Sequence, residues 1–255
     1  MPCSLPSGIS RRSSSIAQPL DYETDGSLDL SKVEAAIKPN DPHFARTRLL
    51  CLENTQGGGV LPVEYLKRVN AFARMKGLAT HLDGARVFNA AVALGLSVTH
   101  ISRHFDSVSV CLSKGLGAPV GSVLTGDREF IARARRWRKV LGGGMRQAGV
   151  LAAAGVYALE HNVERLAEDH ENAHALAEGL SQLDELGVAP GGAHTNMVYV
   201  TVDHRSSVEL REHLANRGIR IGGQGTIRLV THLDVDRRDV DRVLREVNQF
   251  FAESS

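Results

Sequence analysis

From Leu28 onward the chain alternates short, β-rich apolar runs with longer stretches whose apolar residues recur at helical spacing, a rhythm that predicts an α/β fold. Residues 30–37 read as a helix that Pro39 stops, and residues 48–52 as a buried strand. Pro62 opens a helical stretch to Met75 in which Leu66, Val69 and Phe72 share a face, and Gly77 closes it. Further strands are predicted at 78–82, 106–112 and 120–125, with a helical segment at 89–94 between the first two. Two long helices, 129–141 and 145–162, flank Gly142, Gly143 and Gly144, and a third runs over about 163–183. Beyond Gly191 and Gly192 the pattern gives a strand at 197–202, a helix at 208–217, strands near Ile219 and at 227–230, and a last helix at 236–251. These spans predict a larger domain over residues 25–150 and a small C-terminal α+β domain, with its connecting helices, over 151–255.

Composition narrows the function. Lys plus Arg number 30 against 29 for Asp plus Glu, which leaves no broad positive face for nucleic acid or an anionic membrane. The basic run Arg133, Arg135, Arg136, Arg138 and Lys139 holds one aromatic, Trp137, and fits an amphipathic helix. No apolar run reaches the length of a membrane span; residues 151–159 stop at Glu160 and His161. Cys3, Cys51 and Cys111 form no paired motif, so neither a metal nor a redox centre is expected, and two of them lie in apolar runs as reduced thiols. That usage predicts a reducing, cytoplasmic setting. Residues 1–20 carry no acid, many serines and the pair Arg11 and Arg12, which makes a mitochondrial location the alternative. Residues 1–24 as a whole are expected to be a disordered or unrelated tail.

Ligands of open α/β sheets gather at the carboxyl ends of strands, so the polar residues that close two successive apolar runs matter most. One set is Thr80-His81-Leu82-Asp83-Gly84-Ala85-Arg86; the other is Ser109-Val110-Cys111-Leu112-Ser113-Lys114-Gly115. Taken singly, Asp-Gly is a common turn and Ser-Lys-Gly a common exit from a sheet. Taken together, with Arg86 and an intervening helix, they supply what a pyridoxal cofactor requires: an amine to form a Schiff base, Lys114, and an acid to keep the ring nitrogen protonated, Asp83. A lysine closing a buried strand is expected to lose solvent, which favours its neutral, nucleophilic form.

These residues also resemble a known family. Leu52-Glu53-Asn54-Thr55, His81 to Arg86, Cys111 to Ser122, Arg136-Trp137-Arg138-Lys139, Gly142 to Gln147 and Arg228-Leu229-Val230-Thr231-His232 are similar to the low-specificity L-threonine aldolases, from about Asp25 to the C-terminus. The resemblance implies an aspartate-aminotransferase-like (fold type I) large-domain sheet plus a small C-terminal domain. It also implies pyridoxal 5'-phosphate and cleavage of L-threonine or L-allo-threonine to glycine and acetaldehyde. By the same resemblance Arg86 contacts cofactor and substrate, and Arg228 binds the substrate carboxylate with its guanidinium fork. The resemblance further implies that His43 sits near the β-hydroxyl and helps to move its proton, and that Lys139 and Arg146 bind the cofactor from its phosphate side, across a subunit interface. A racemase or dehydratase on the same scaffold is the weaker enzymatic reading.

Family members usually begin with a longer N-terminal part that carries a serine for the carboxylate, a Ser-Gly-Thr phosphate turn and a ring-stacking histidine. Its absence here implies a truncated large domain, weaker cofactor binding and exposed sheet edges unless another subunit covers them. A homo-oligomer is therefore expected, either a dimer or a tetramer. The alternative is a catalytically impaired isoform or fragment that partners a complete aldolase subunit in a hetero-oligomer.

Overall fold

The structure is a computed structural model that describes residues 17–189 and 191–254. Of the tail expected over 1–24, residues 1–16 lie outside the described residues. Residues 17–24 carry no helix or strand, yet Leu20 packs against the first core. The elements run α1 (Leu30–Ala36), β1 (Leu49–Glu53), α2 (Val63–Met75), β2 (Ala79–Gly84), α3 (Val87–Ala93), α4 (Thr99–Ser102), β3 (Ser107–Cys111), β4 (Ser122–Gly126), α5 (Arg128–Val140), α6 (Gly149–His161) and α7 (Leu166–Leu180). After them come β5 (Gly187–Val188), β6 (Met197–Thr201), α8 (His204–Asn216), β7 (Gly223–Gln224), β8 (Thr226–Val230) and α9 (Arg237–Ser254).

Two four-stranded sheets organise the chain. In the first, β1, β2 and β3 are parallel and β4 returns antiparallel at the edge; the second has the order β5-β6-β8-β7 and is antiparallel throughout. The α/β reading of the sequence holds, with the helical crossovers that parallel strands require. Leu66, Val69, Phe72 and Ala73 of α2 meet Leu50 and Leu52 of β1 and Leu82 of β2 in one core, each larger side chain contributing about 1.5–3 kcal/mol by burial. A second core gathers Leu176 and Leu180 of α7, Val198 and Val200 of β6, Leu210 and Leu214 of α8 and Phe250 and Phe251 of α9. A small third cluster, Leu112, Leu116, Ala118, Ala158 and Leu166, packs under the exit of β3.

Caps explain where elements depart from the apolar pattern. Gly77 (φ +65°) follows α2, and the amides of Gly77 and Leu78 donate to the carbonyls of Arg74 and Ala73, so Leu78 belongs to the helix cap and β2 starts at Ala79. The same motif ends α8 at Gly218, where Ile219 donates to Leu214 and packs against the second core. No strand forms at Ile219; the edge strand is β7. Asp203 accepts from the amides of Arg205 and Ser206, which starts α8 at His204 rather than at residue 208. Among the described residues no helix is long and apolar enough to cross a membrane.

Candidate active site

The carboxyl ends of β1, β2 and β3 lie side by side. Register pairs Glu53 with Asp83 and Asp83 with Ser109, which sets the two carboxylates on neighbouring strands and on the same face. Asp83 is exposed, and its Oδ1 accepts from the Ala85 amide at 3.0 Å. Gly84 follows because nothing larger fits: a Cβ there would sit 2.9 Å from both the Ser109 carbonyl oxygen and Val108 Cγ1. Arg86 then opens α3, half-buried, with a buried Nε that has no hydrogen-bond partner.

At the end of β1, Asn54 and Thr55 are buried. The Asn54 amide donates to the Asp83 carbonyl at 3.0 Å and its Oδ1 accepts from Leu61, but Asn54 Nδ2 and Thr55 Oγ1 have no partner. Past the end of β3 the chain turns through Leu112 to Ala118, closed by Gly117 donating to the Lys114 carbonyl and Ala118 to that of Leu112. Lys114 sits on this turn with its side chain exposed, so the burial expected to neutralise it is not supplied by these residues.

Electrostatics tie the ends together. Burial first, and then the charge of Asp83, push the Glu53 carboxyl above its ordinary range, while Lys114 and Arg86 pull it back. Acid, amine and guanidinium thus all act on the Glu53 carboxyl. Burial works to raise the Cys111 thiol, but hydrogen bonds from Ser113 and the Lys114 charge bring it below the ordinary cysteine value. Tyr22 is pushed up by burial and then by Glu53 and Asp83, so the segment before α1 reaches the same end of the sheet.

The second sheet adds Arg228. It pairs in register with Tyr199, and its charge joins burial in lowering the pKa of Arg86, with Tyr199 and Glu53 opposing. This approach is fixed where Thr195 Oγ1 donates to the Gly58 carbonyl at 2.7 Å and Gly58 (φ +88°) leaves no room for a Cβ against Met197. Three further residues of interest are exposed. His43 is on an exposed loop, its Nδ1 2.7 Å from Asp41 Oδ1, and Asp41 is its one polar partner among the described residues. Lys139 and Arg146 are exposed at and beyond the end of α5, a helix that buries none of its residues.

With that geometry in place, comparison with known proteins is decisive. A family model described as β-eliminating lyase matches residues 7–203. The low specificity L-threonine aldolase of Escherichia coli K12 is 52% identical over 235 residues, covering 92% of this chain and 70% of that one. The chain belongs to the β-eliminating lyase family. Within the fold, it matches the crystal structure of a putative L-allo-threonine aldolase from Listeria monocytogenes with a TM-score of 0.74 at 22% identity, covering 91% of this chain and 68% of that one. A PLP-dependent aminotransferase from Streptococcus suis matches with a TM-score of 0.65 at 17% identity, over 89% and 62%.

In this β-eliminating lyase family chain, the motifs gave Glu53, Asn54 and Thr55 no role of their own and did not include Tyr199. Glu53 and its neighbours stand in a recognised motif, but their role depends on which strand lies beside β1. Tyr199 reads as an ordinary strand tyrosine until β8 is paired with β6.

Proposed function

We propose that this chain is a pyridoxal-phosphate-dependent lyase that cleaves L-threonine, L-allo-threonine and related β-hydroxy amino acids to glycine and an aldehyde. The observation that carries it is the register that sets Asp83 at the end of β2, beside Glu53 of β1 and Ser109 of β3, with Lys114 on the turn that leaves β3. The residues fit the cofactor on a separate ground. Arg86 Nε and Asn54 Nδ2 are buried donors without acceptors, and Thr55 Oγ1 is a buried hydroxyl without a partner, all at this end of the sheet. Such atoms suit a polar, anionic ligand.

Bound there, pyridoxal phosphate supplies an electron-poor ring that takes up the electron pair of the broken Cα–Cβ bond. Lys114 Nζ would provide the amine that holds the cofactor through its aldehyde carbon. Asp83 would face the ring nitrogen and favour its protonated form through its charge. Arg228, with Arg86 beside it, binds the substrate carboxylate and so fixes which bond at Cα stands ready to break. His43, on its exposed loop beside Asp41, is assigned to moving the β-hydroxyl proton. Lys139 and Arg146 are assigned to contact with a second copy of the chain, a homo-oligomer supported by exposed Trp137, Val140, Leu141 and Met145 beside them.

The test is direct. Protein mixed with pyridoxal phosphate and reduced with borohydride should carry the label on Lys114, and Lys114→Ala should lower glycine and acetaldehyde release from L-threonine by about 10³-fold or more. A label elsewhere, or an unchanged rate in the variant, would remove the reading.

A further inference from the structure

Lys114 lies on the turn that leaves the first sheet and Arg228 on the second sheet, and one turn of α7 touches the supports of both. On the Lys114 side, Asn89 is buried in α3, and its Nδ2 donates to His170 Nε2 at 3.1 Å. Burial holds His170 below its ordinary pKa, against the neighbouring Asp169 charge, so the neutral ring can accept that bond. Gly115, next to Lys114, lies on the same support: a Cβ there would be 2.8 Å from Leu166 Cδ2 and 3.6 Å from Asn89 Oδ1. Asn162 completes the seat by donating to the Leu116 carbonyl at 2.8 Å.

On the Arg228 side, Thr231 is buried three residues further along, and its Oγ1 donates to the Asp169 carbonyl at 2.6 Å. Asp169 is itself fully buried and held by Arg165 at 2.6 Å. Asn196 and Thr231 exchange a pair of bonds, side-chain amide to carbonyl and backbone amide to carbonyl, which fixes the exit of β8. Adjacent residues of one helical turn therefore grip both supports.

We propose that the Asp169–His170 turn is the strut that sets the spacing between Lys114 and Arg228, with His170 a positioning residue acting through Asn89 and Asp169 acting through Thr231. The inference rests on the proposed function, because it assigns the amine to Lys114 and the carboxylate to Arg228. A substrate amino acid must reach both at once, whereas a plain amine needs only Lys114. The ratio of the two affinities reads the spacing, and a general loss of stability would lower both alike.

The experiment titrates the cofactor-loaded protein with glycine and with methylamine and follows the visible absorption change. The parent protein should prefer glycine, and Arg228→Leu should abolish the preference. His170→Leu and Thr231→Val should each reduce the glycine-to-methylamine ratio by about ten-fold, the loss expected for a displaced charge-assisted contact. His170→Gln, whose amide oxygen can accept from Asn89, should restore most of it. In the cofactor-free protein, His170→Leu should also speed hydrogen exchange of the amides at 112–118 by about ten-fold. Parent-like ratios in both His170→Leu and Thr231→Val, or unchanged exchange in the turn, would overturn the strut while leaving the proposed function standing. No absorption change with either amine in the parent protein would instead overturn the proposed function, and the strut with it.

Discussion

The two sheets obey the same rules of strand patterning but are finished differently. In the second, Val198, Val200, Ile227 and Leu229 turn one face into a core that α7, α8 and α9 close. In the first, α1, α2 and α3 cover Leu50, Leu52 and Leu82, while the opposite face leaves Leu49, Cys51, Ala79 and Leu124 exposed. The proposed site collects at the end of that less covered sheet, with Glu53 and Asp83 at the ends of β1 and β2 and Lys114 on the turn after β3. A closed core keeps titratable groups away or pairs them, whereas an open strand end lets carboxylates and an amine meet around a ligand. The second sheet supplies a single guanidinium, Arg228, from its less covered face.

Core truncation probes that contrast most strongly. Leu82→Ala and Leu214→Ala remove fully buried side chains from the first and second cores, and each should cost about 2–5 kcal/mol in urea unfolding. Only Leu82→Ala, one residue from Asp83, should also weaken pyridoxal phosphate binding; equal weakening by both would erase the distinction between the sheets. Next comes Gly84→Ala, whose new Cβ meets the Ser109 carbonyl. It should destabilise by about 1–3 kcal/mol, and a neutral result would show that β2 and β3 can part without loss.

Arg228→Leu should raise KM for L-threonine by about 10–100-fold, the cost of an unpaired carboxylate. Steady-state kinetics on the purified protein would measure it. The smallest effect concerns Glu53. Its folded pKa is raised, so the folded state holds that proton more tightly than the unfolded chain. The favourable contribution is complete below the ordinary glutamate range and is lost as pH rises through the folded value. Glu53→Gln should therefore melt higher than the parent protein at neutral pH, by a few degrees at most, with the gain fading in acid. A thermal melt at both pH values distinguishes this from a pH-independent change.

Much of the first sheet was legible along the chain because its signals are local. The apolar spacing of α2 and the run at β1 require no distant partner, and the Asp83 and Lys114 motifs each sit at the end of their own strand. Boundaries slipped where a cap outweighed an apolar side chain, as at Leu78 and Ile219. Solvation also escaped local reading: the chain ending a strand at Lys114 suggested burial, yet its turn carries the side chain outward.

By itself, the order of residues determined the alternation of strands and helices, the family, and the acid and amine of the proposed site. Tertiary structure alone decided that Glu53 would feel Asp83, Lys114 and Arg86 together, that Arg228 would come up to Arg86, and that His170 would meet Asn89. The reason is range. Hydrophobic periodicity and capping act over a few residues, whereas the field on a carboxylate and the span between two sheets depend on how separate cores close against one another.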